Sequence, residues 1–494
     1  MHQTQPATIE QAISKAKKAV KQGRFNEAVQ LYTAVLQYQP QNSFAKKALR
    51  KLKIKLEKNP AILTQDKEPS QEQHNALMNL INARQYVSAE QSCRQLLLQY
   101  PQSLLLLNML AGVLTEQDKF QEAVRTCDMM IRIKPDHAHA YYNRGVALQK
   151  SLLFEDAIQS FRQAIKLKPD YAKAYSDLSL LLLMTGDFKE GWRHHEWRMM
   201  EEKANNQIPV AIPQWKAESL ENSVILVRAE QGIGDEVMFA SCFPDLINTH
   251  PKQIIVECDS RLVPLFSRSF PEMNIQGKRD EKSIEWLNEL GDIDFQVALG
   301  SLPMFFRAGF EFFPDRKSYL STDPVLLEKW KHRFDQLGEG IKIGISWRGG
   351  SSEDMKQSRS VLPALWKPVL QSDAYFINLQ YGDTTEDIHR FERETGTHIH
   401  HWADADPLID LDNFAAQISA LDLVISIDNS TVHFAGAVGT PTWVLTPGKP
   451  DWRWMLETDS SPWYSVVKLF RQKKDGDWSD VLSQIKTELS RYSG

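Results

Sequence analysis

Cysteine is scarce: Cys93, Cys127, Cys242 and Cys258 are the only four in 494 residues, and no two form a C-x-x-C pair. That spacing excludes a zinc ribbon and a disulfide framework and fits a reducing compartment. Long apolar runs are missing too. Residues 178–184, LSLLLLM, are far short of a membrane-spanning helix. The N-terminus is polar, without the hydrophobic core of a secretory signal, so the expectation is a cytoplasmic protein with no membrane span. Neither charge sign dominates: 58 basic and 63 acidic residues leave a net −5, which argues against non-specific nucleic-acid binding. The basic run over residues 46–58 reads as a solvated helix face. A Walker A loop, a G-x-S-x-G elbow and an H-E-x-x-H helix are all absent. What is present, 42% hydrophobic and 24% charged residues, predicts a packed soluble protein of roughly three domains at ~150 residues each.

Residues 1–200 read as helical, with Gly and Pro falling between periodic segments. Pro101, Pro135 and Pro169 stand 34 residues apart, and Ala89, Ala123 and Ala157 each precede one of them by twelve. The clearest unit, residues 138–171, carries Tyr141, Gly145, Ala157, Phe161, Ala164 and Pro169. These residues resemble the tetratricopeptide pattern, in which small residues let two helices cross closely and proline ends the second. An outlying unit with Gly23, Ala28, Tyr32 and Pro40 precedes them, separated by a helix over residues 43–57 and a polar connection over 59–73. A degraded repeat over 172–200 reads as a C-terminal cap that docks on the next domain.

After a junction at 201–222 the pattern changes to strands alternating with helices, which predicts parallel sheets. Strands are expected at 223–228 and 253–258, and near Asn274 and Phe295, with helices at 235–248 and 261–269. A second series has strands at 342–347 and 375–380, a helix at 412–420, and a closing helix at 478–492. Two α/β halves of similar size predict two Rossmann-like domains facing one cleft. The best-marked stretch is residues 421–447, LDLVISIDNSTVHFAGAVGTPTWVLTP. A β-branched strand (423–427) leads to Asp428, Asn429, Ser430 and Thr431, then a small apolar helix with His433, stopped at Gly439. The polar cluster therefore lies at the C-terminal end of a parallel strand and at a helix N-terminus, where α/β folds bind ligands and phosphates.

Residues 229–237, AEQGIGDEV, place Gly232 and Gly234 between a strand and a helix, so that a ligand can approach the backbone. Val237 stands where a dinucleotide fingerprint has its third glycine, while Glu257 sits where its ribose-binding acid would be, which leaves an NAD enzyme open. Asp235 has two compatible readings: a helix cap, or a general base whose carboxylate form the helix N-terminus favours. In residues 344–360, GISWRGGSSEDMKQSRS, a glycine pair and Arg348, Lys356 and Arg359 suit a diphosphate. Asp404 and Asp406 form a D-x-D pair better explained by capping and solvation. His398, His400 and His401 lack ligand spacing, so no metal is expected. Trp452, Trp454 and Trp463 read as packing around a hinge loop.

With these residues in view, residues 209–480 resemble the glycosyltransferase-like domain joined to tetratricopeptide repeats in many bacterial proteins. The segments that carry the resemblance are AEQGIGDEVMFA, KIGISWRGG, INLQYGD, ALDLVISIDNSTVHFAGAVGTPTWVLTP, DWRW and SPWY. The G-x-G-D and D-x-x-x-x-H landmarks are similar to those of lipopolysaccharide heptosyltransferases. The layout also resembles O-linked N-acetylglucosamine transferases and flagellin glycosyltransferases. The resemblance implies a GT-B fold and inverting, metal-independent transfer from a nucleotide-sugar, with no further cofactor. It maps the base onto Asp235 and the donor turn onto Asp428, Ser430, Thr431 and His433; Asn429 stands where those enzymes usually carry threonine. The expected architecture is α plus α/β, an N-terminal α-solenoid of tetratricopeptide repeats followed by a GT-B fold of two Rossmann-like domains. The expected segments are a tetratricopeptide-like unit (1–58), repeats with a cap (59–205), an acceptor domain (206–335), a nucleotide-sugar domain (336–480) and a terminal helix (481–494). The expected function is a glycosyltransferase acting on Ser or Thr of a protein chosen by the repeats; the alternative is a non-catalytic adaptor that uses the transferase fold as a scaffold.

Overall fold

The computed structural model describes residues 9–21, 25–58, 68–200, 210–278, 285–350, 359–474 and 476–492. Gly23, Lys356, residues 59–67 of the first connection and 201–209 of the junction lie outside these. Two compact units divide the chain, residues 1–174 and 175–494.

The first unit is helical. Ile9–Lys21, Phe25–Tyr38 and Ser43–Lys58 share one apolar core that includes Ala28 and Tyr32. Gln71–Asn82, Tyr86–Leu97, Leu104–Glu116, Phe120–Ile133, Ala138–Lys150 and Phe154–Leu167 then pack pairwise as repeats. Ala89, Ala123 and Ala157 are fully buried where the paired helices cross. At Gly145 an added Cβ would stand 2.6 Å from the Phe161 ring, so this crossing requires glycine. The 34-residue period is also written into the backbone. Arg84, Asp118 and Leu152 occupy the same inter-helix turn in successive repeats with φ of 54°, 57° and 63°, and Gly186 continues the series at 90°. Only the last has the residue type that adopts this conformation without strain.

The second unit begins within the helix Ala172–Thr185 and continues through Phe188–His195 and the tight turn Glu196–Met200. Trp192 is the anchor of this segment. It is buried, its indole Nε1 donates to the Arg307 carbonyl at 2.9 Å, and its ring meets Phe239, Trp452 and Trp463. The segment thus touches both of the sheet-bearing halves that follow.

The first sheet has strands β1 (Val224–Arg228), β2 (Gln253–Cys258), β3 (Asn274–Gly277) and β4 (Phe295–Ala298) in the order β3-β2-β1-β4. The second has β5 (Ile341–Ser346), β6 (Ala374–Asn378), β7 (Ile399–His400), β8 (Leu423–Ile427), β9 (Thr442–Thr446) and β10 (Val467–Arg471) in the order β10-β9-β8-β5-β6-β7. Every pairing is parallel. β1, β8 and β9 are buried along their whole length, as strands covered on both faces are, with Arg228, Ser426, Thr442 and Thr446 the polar residues among their apolar ones. The fold is therefore tetratricopeptide helices followed by two parallel α/β sheets of the GT-B kind. The order reverses between β1 and β4 in one sheet and between β5 and β8 in the other, which fixes two crevices at strand C-termini. The helix expected over 235–248 is broken into Ile233–Phe239, a tight turn and Phe243–Ile247. Pro244 lies in the first turn of the last piece and has no N–H to continue the ladder.

Candidate functional site

The loop after β1 turns at Gly232 and enters the helix Ile233–Phe239, whose N-cap is Gly232 with no side-chain cap bond. Asp235 is therefore not the cap. It lies inside the first turn, because the helix starts two residues earlier than the sequence reading placed it. Its carboxylate is instead ion-paired with Arg453, 218 residues further along the chain. Gly234 faces the other half: a Cβ there would stand 2.9 Å from the His433 ring and 3.5 Å from the Ser430 Cα. The two landmark turns, remote in sequence, meet at their helix N-termini.

The turn after β8 is held by Asn429, the N-cap of the helix Ser430–Val438. Its Oδ1 accepts from the Thr431 N–H at 3.0 Å, and its Nδ2 donates to the Ser346 hydroxyl at 2.7 Å and the Arg348 carbonyl at 3.0 Å. Asn429 thus ties the ends of β5 and β8 across the crevice, a task that threonine, without a donor pair, does not perform. At Gly349 a Cβ would meet the Asp428 carbonyl at 3.0 Å, closer than ordinary van der Waals contact. Ser430 is half-buried and Thr431 buried.

Around this contact lies a chain of charges. Asp235 pairs with Arg453, Arg453 with Asp451 at 2.6 Å, Asp451 with Arg359 at 3.2 Å, and Arg359 with Asp428 at 3.3 Å. Three aspartates thus share two arginines. Burial pushes the Asp428 carboxyl above its ordinary value despite Arg359, and its Oδ2 has no hydrogen-bond partner. Burial also opposes ionisation of Asp451, but Arg453 and Arg359 outweigh it and hold that carboxyl low. Burial opposes the Arg453 cation, and Asp235 and Asp451 more than restore it. His433 is buried, stacks on Trp454 with ring centroids 5.6 Å apart, and meets the Tyr464 hydroxyl through Nδ1 at 2.9 Å. Burial, with Arg453 nearby, pulls its imidazole down to about 4, so the ring is neutral at pH 7.

The other expected residues are distributed differently. Arg348 does not join Arg359: its guanidinium pairs with Asp387 at 3.0 Å and donates to the Asp383 carbonyl at 2.8 Å, on the β6 side. Glu230, a further carboxylate of the glycine turn, is held by Arg198 and the Gly300 N–H, which occupies it structurally. Glu257 pairs with Arg228 at 3.2 Å between neighbouring strands, which employs the acid a dinucleotide reading would need. Asp404 is clamped by Lys329 and Arg333, Asp406 accepts from the Leu408 N–H, and Asp410 caps the next helix. His398 pairs with Glu392, and His401 contacts Asn378 through Nδ1 at 3.0 Å. Among the described residues no group of three His, Cys, Asp or Glu side chains is disposed to hold a metal.

A cavity of about 320 Å³ opens at the C-terminal ends of β6 and β7, lined among others by Asn378, Gln380, Asp383, Thr384 and His401. Gln380 is 3% exposed. Its Oε1 accepts from the Ser346 hydroxyl and from the Trp347 and Arg348 N–H groups at 2.8–3.1 Å, which fixes the amide; its Nε2 has no partner. A buried amide donor is thus left for whatever enters this cavity. Sequence reasoning missed Gln380, Asp451 and Arg453. The available signal was a carboxylate and an arginine inside the aromatic DWRW segment, where charges are unexpected unless paired.

Comparison with known proteins gives three kinds of likeness. Residues 110–181 match the family described as Tetratricopeptide repeat. Protein FlbA of Caulobacter vibrioides is 30% identical over 414 residues, which span 80% of this chain and 68% of that one. Among solved structures, a Thermobaculum terrenum O-GlcNAc transferase mutant aligns over 86% of this chain and 94% of its own at 16% identity, TM-score 0.29. A glycosyl transferase family 9 structure from Veillonella parvula aligns over 56% and 97% at 13% identity, TM-score 0.42. At such scores no residue role is carried across from either structure.

Proposed function

This chain belongs to the family of Caulobacter vibrioides Protein FlbA, and from that premise we propose that it is a glycosyltransferase moving a sugar from a nucleotide-sugar to a hydroxyl of a protein. One observation carries the reading: the glycine turn with Asp235 and the 428–433 turn meet in one charged cluster across two parallel sheets. Packing alone needs no such cluster. The nucleoside fits the cavity at Gln380, whose amide would meet an acceptor atom of the ligand. The diphosphate lies toward the N-terminus of Ser430–Val438, where Arg359 and Arg453 exchange a carboxylate partner for it. The acceptor oxygen attacks the anomeric carbon, its proton passes to Asp235, and the bond from that carbon to the diphosphate oxygen breaks. The nucleoside diphosphate leaves with both bonding electrons. The repeats select the protein acceptor.

The second reading is a non-catalytic adaptor. It is favoured by one observation, that both arginines are already paired with aspartates. Two measurements on the full chain separate the readings. Thermal shift and calorimetry with a panel of nucleoside diphosphates should find one that stabilises, by about 2.7 kcal/mol at a hundredfold excess over Kd. Asp235→Asn should lower transfer roughly 10²–10⁴-fold while nucleotide affinity persists. Because Asp235 is an ion-pair partner rather than a cap, the variant should also lose about 1–3 kcal/mol of stability. No binding by any nucleotide sinks the transferase reading; full activity of a folded Asp235→Asn protein removes this residue as the base.

A further inference from the structure

The crevice where strand order reverses in the first sheet holds a second cavity, of about 490 Å³. Arg228 and Ala298, the last residues of β1 and β4, lie side by side there. Besides Arg228 of β1, three chain segments build it. Glu196 and Met199 come from the turn that ends the last repeat, Gln214 to Lys216 from the junction, and residues 296–305 from β4 and beyond.

Two of the three charged side chains that line this cavity are already matched; the third, Lys216, is exposed. Glu196 pairs with Arg198 at 2.9 Å and accepts from the Ser301 hydroxyl at 2.7 Å. Arg228 pairs with Glu257 at 3.2 Å. Gln296 donates its amide to the Ile212 carbonyl at 2.7 Å. Apart from the exposed Gln214 and Lys216, the rest of the wall is mainly apolar, with Met199, Trp215, Ala298, Met304 and Phe305. Thioether and aromatic walls adapt to varied apolar shapes. A peptide backbone cannot add to the β4 edge here, because residues 213–215 already occupy it. The Gln296 N–H donates to the Pro213 carbonyl and the Trp215 N–H to the Gln296 carbonyl, both at 2.8 Å. Side-chain insertion is the mode that remains.

The cavity is also linked to the glycine turn. Glu230 of that turn accepts from the Gly300 N–H at 3.1 Å, and Arg198 bonds both Glu230 and Ser301. The adjoining Ser301 lines the cavity. We propose that this cavity is a specificity pocket that takes an apolar side chain of the polypeptide acceptor, near the hydroxyl to be modified. The pocket chemistry stands on its own residues; its assignment to an acceptor rests on the transferase reading.

The test uses the full chain and N-acetyl amino-acid amides as probes: leucine, methionine and phenylalanine against serine, aspartate and lysine. Binding is read by saturation-transfer NMR titration. Two variants accompany it, Ala298→Leu to fill the cavity and Met304→Glu to charge its wall, with melting curves to verify folding. The expected result is saturable binding of the three apolar amides, weakened at least tenfold in both folded variants. Absence of saturable apolar binding, persistence in both variants, or preference for the aspartate or lysine amide overturns the proposal. Nucleoside diphosphate affinity, measured on the same samples, should match between wild type and variants. Wild-type protein that binds the apolar amides but no nucleotide would refute the transferase reading and leave the pocket standing.

Discussion

Replacing Glu236 by glutamine should stabilise the protein at alkaline pH and do little in acid. The Glu236 side chain, on the helix Ile233–Phe239, is 5% exposed and accepts the Asp259 N–H at 2.8 Å. Burial raises its carboxyl from 4.5 to about 7, helped by the nearby negative charges of Asp259 and Asp235 and opposed by the Asp259 N–H. The sign follows from proton counting. Below about 4.5 folded and unfolded chains both hold the proton; between about 4.5 and 7 only the folded chain does, so stability falls as pH rises through this window. Above it the whole penalty is present: about 1.4 kcal/mol per pH unit over this interval amounts to roughly 3 kcal/mol. Glutamine keeps the shape and an acceptor oxygen for the Asp259 N–H but never ionises. Urea unfolding of wild type and Glu236→Gln at pH 5 and pH 8.5 is the assay. All 13 tryptophans lie between Trp192 and Trp478, so indole fluorescence reports the second unit alone. The variant should gain roughly 2–3 kcal/mol more at pH 8.5 than at pH 5. An equal change at both values, or a loss at pH 8.5, would refute the reasoning.

Three other substitutions follow from local geometry. Gly234→Ala drives a methyl against the His433 ring, which Trp454 and Tyr464 hold in place, and should cost about 1–3 kcal/mol by the same fluorescence assay. Asn429→Ala removes a helix cap and the donor to the Arg348 carbonyl, and should cost roughly 2 kcal/mol or more in urea unfolding. Leu152→Asn relieves a bulky side chain from a left-handed turn where it is already 46% exposed, and should raise the helical melting midpoint by about 0.5–1 kcal/mol equivalent in circular dichroism.

What could be read from the sequence was local. Residues 421–447 were legible because each boundary has its own marker: the β-branched run of β8, the Asn429 cap, and Gly439, which stops the helix at φ 85°. The repeat period was legible because Ala89, Ala123 and Ala157 recur at the fully buried crossings. The role of Asp235 was not, because its partner Arg453 is 218 residues away and no spacing rule links them. Arg348 and Arg359 looked alike in a basic loop, yet one turns to Asp387 and the other to Asp428. Asp404 read as a solvated or capping group because Lys329 and Arg333, which bind it, come from a distant helix. β7 has two residues and β10 follows a tryptophan-rich loop, so neither left a periodic signal long enough to find.

The charge balance at the meeting of the two turns has a further consequence. Two guanidinium groups in such a buried place need counter-ions, since an unpaired buried charge costs several kcal/mol. Asp235, Asp451 and Asp428 provide them, with one negative charge more than the arginines offer. Burial favours the protonated form of Asp428, the member of the chain farthest from Arg453, which lowers that excess. On the transferase reading a diphosphate enters as a competing anion. Its affinity then depends on how readily the aspartates give up Arg359 and Arg453. Protonation of Asp428 releases Arg359 from one partner, so nucleotide affinity should strengthen as pH falls through the raised Asp428 range. On the adaptor reading no nucleotide competes for the arginines, and the same protonation relieves the burial cost of the Asp428 carboxylate without exposing any ligand dependence. One protonation therefore separates the two readings: nucleotide affinity that strengthens as pH falls in the first, and no nucleotide affinity at any pH in the other.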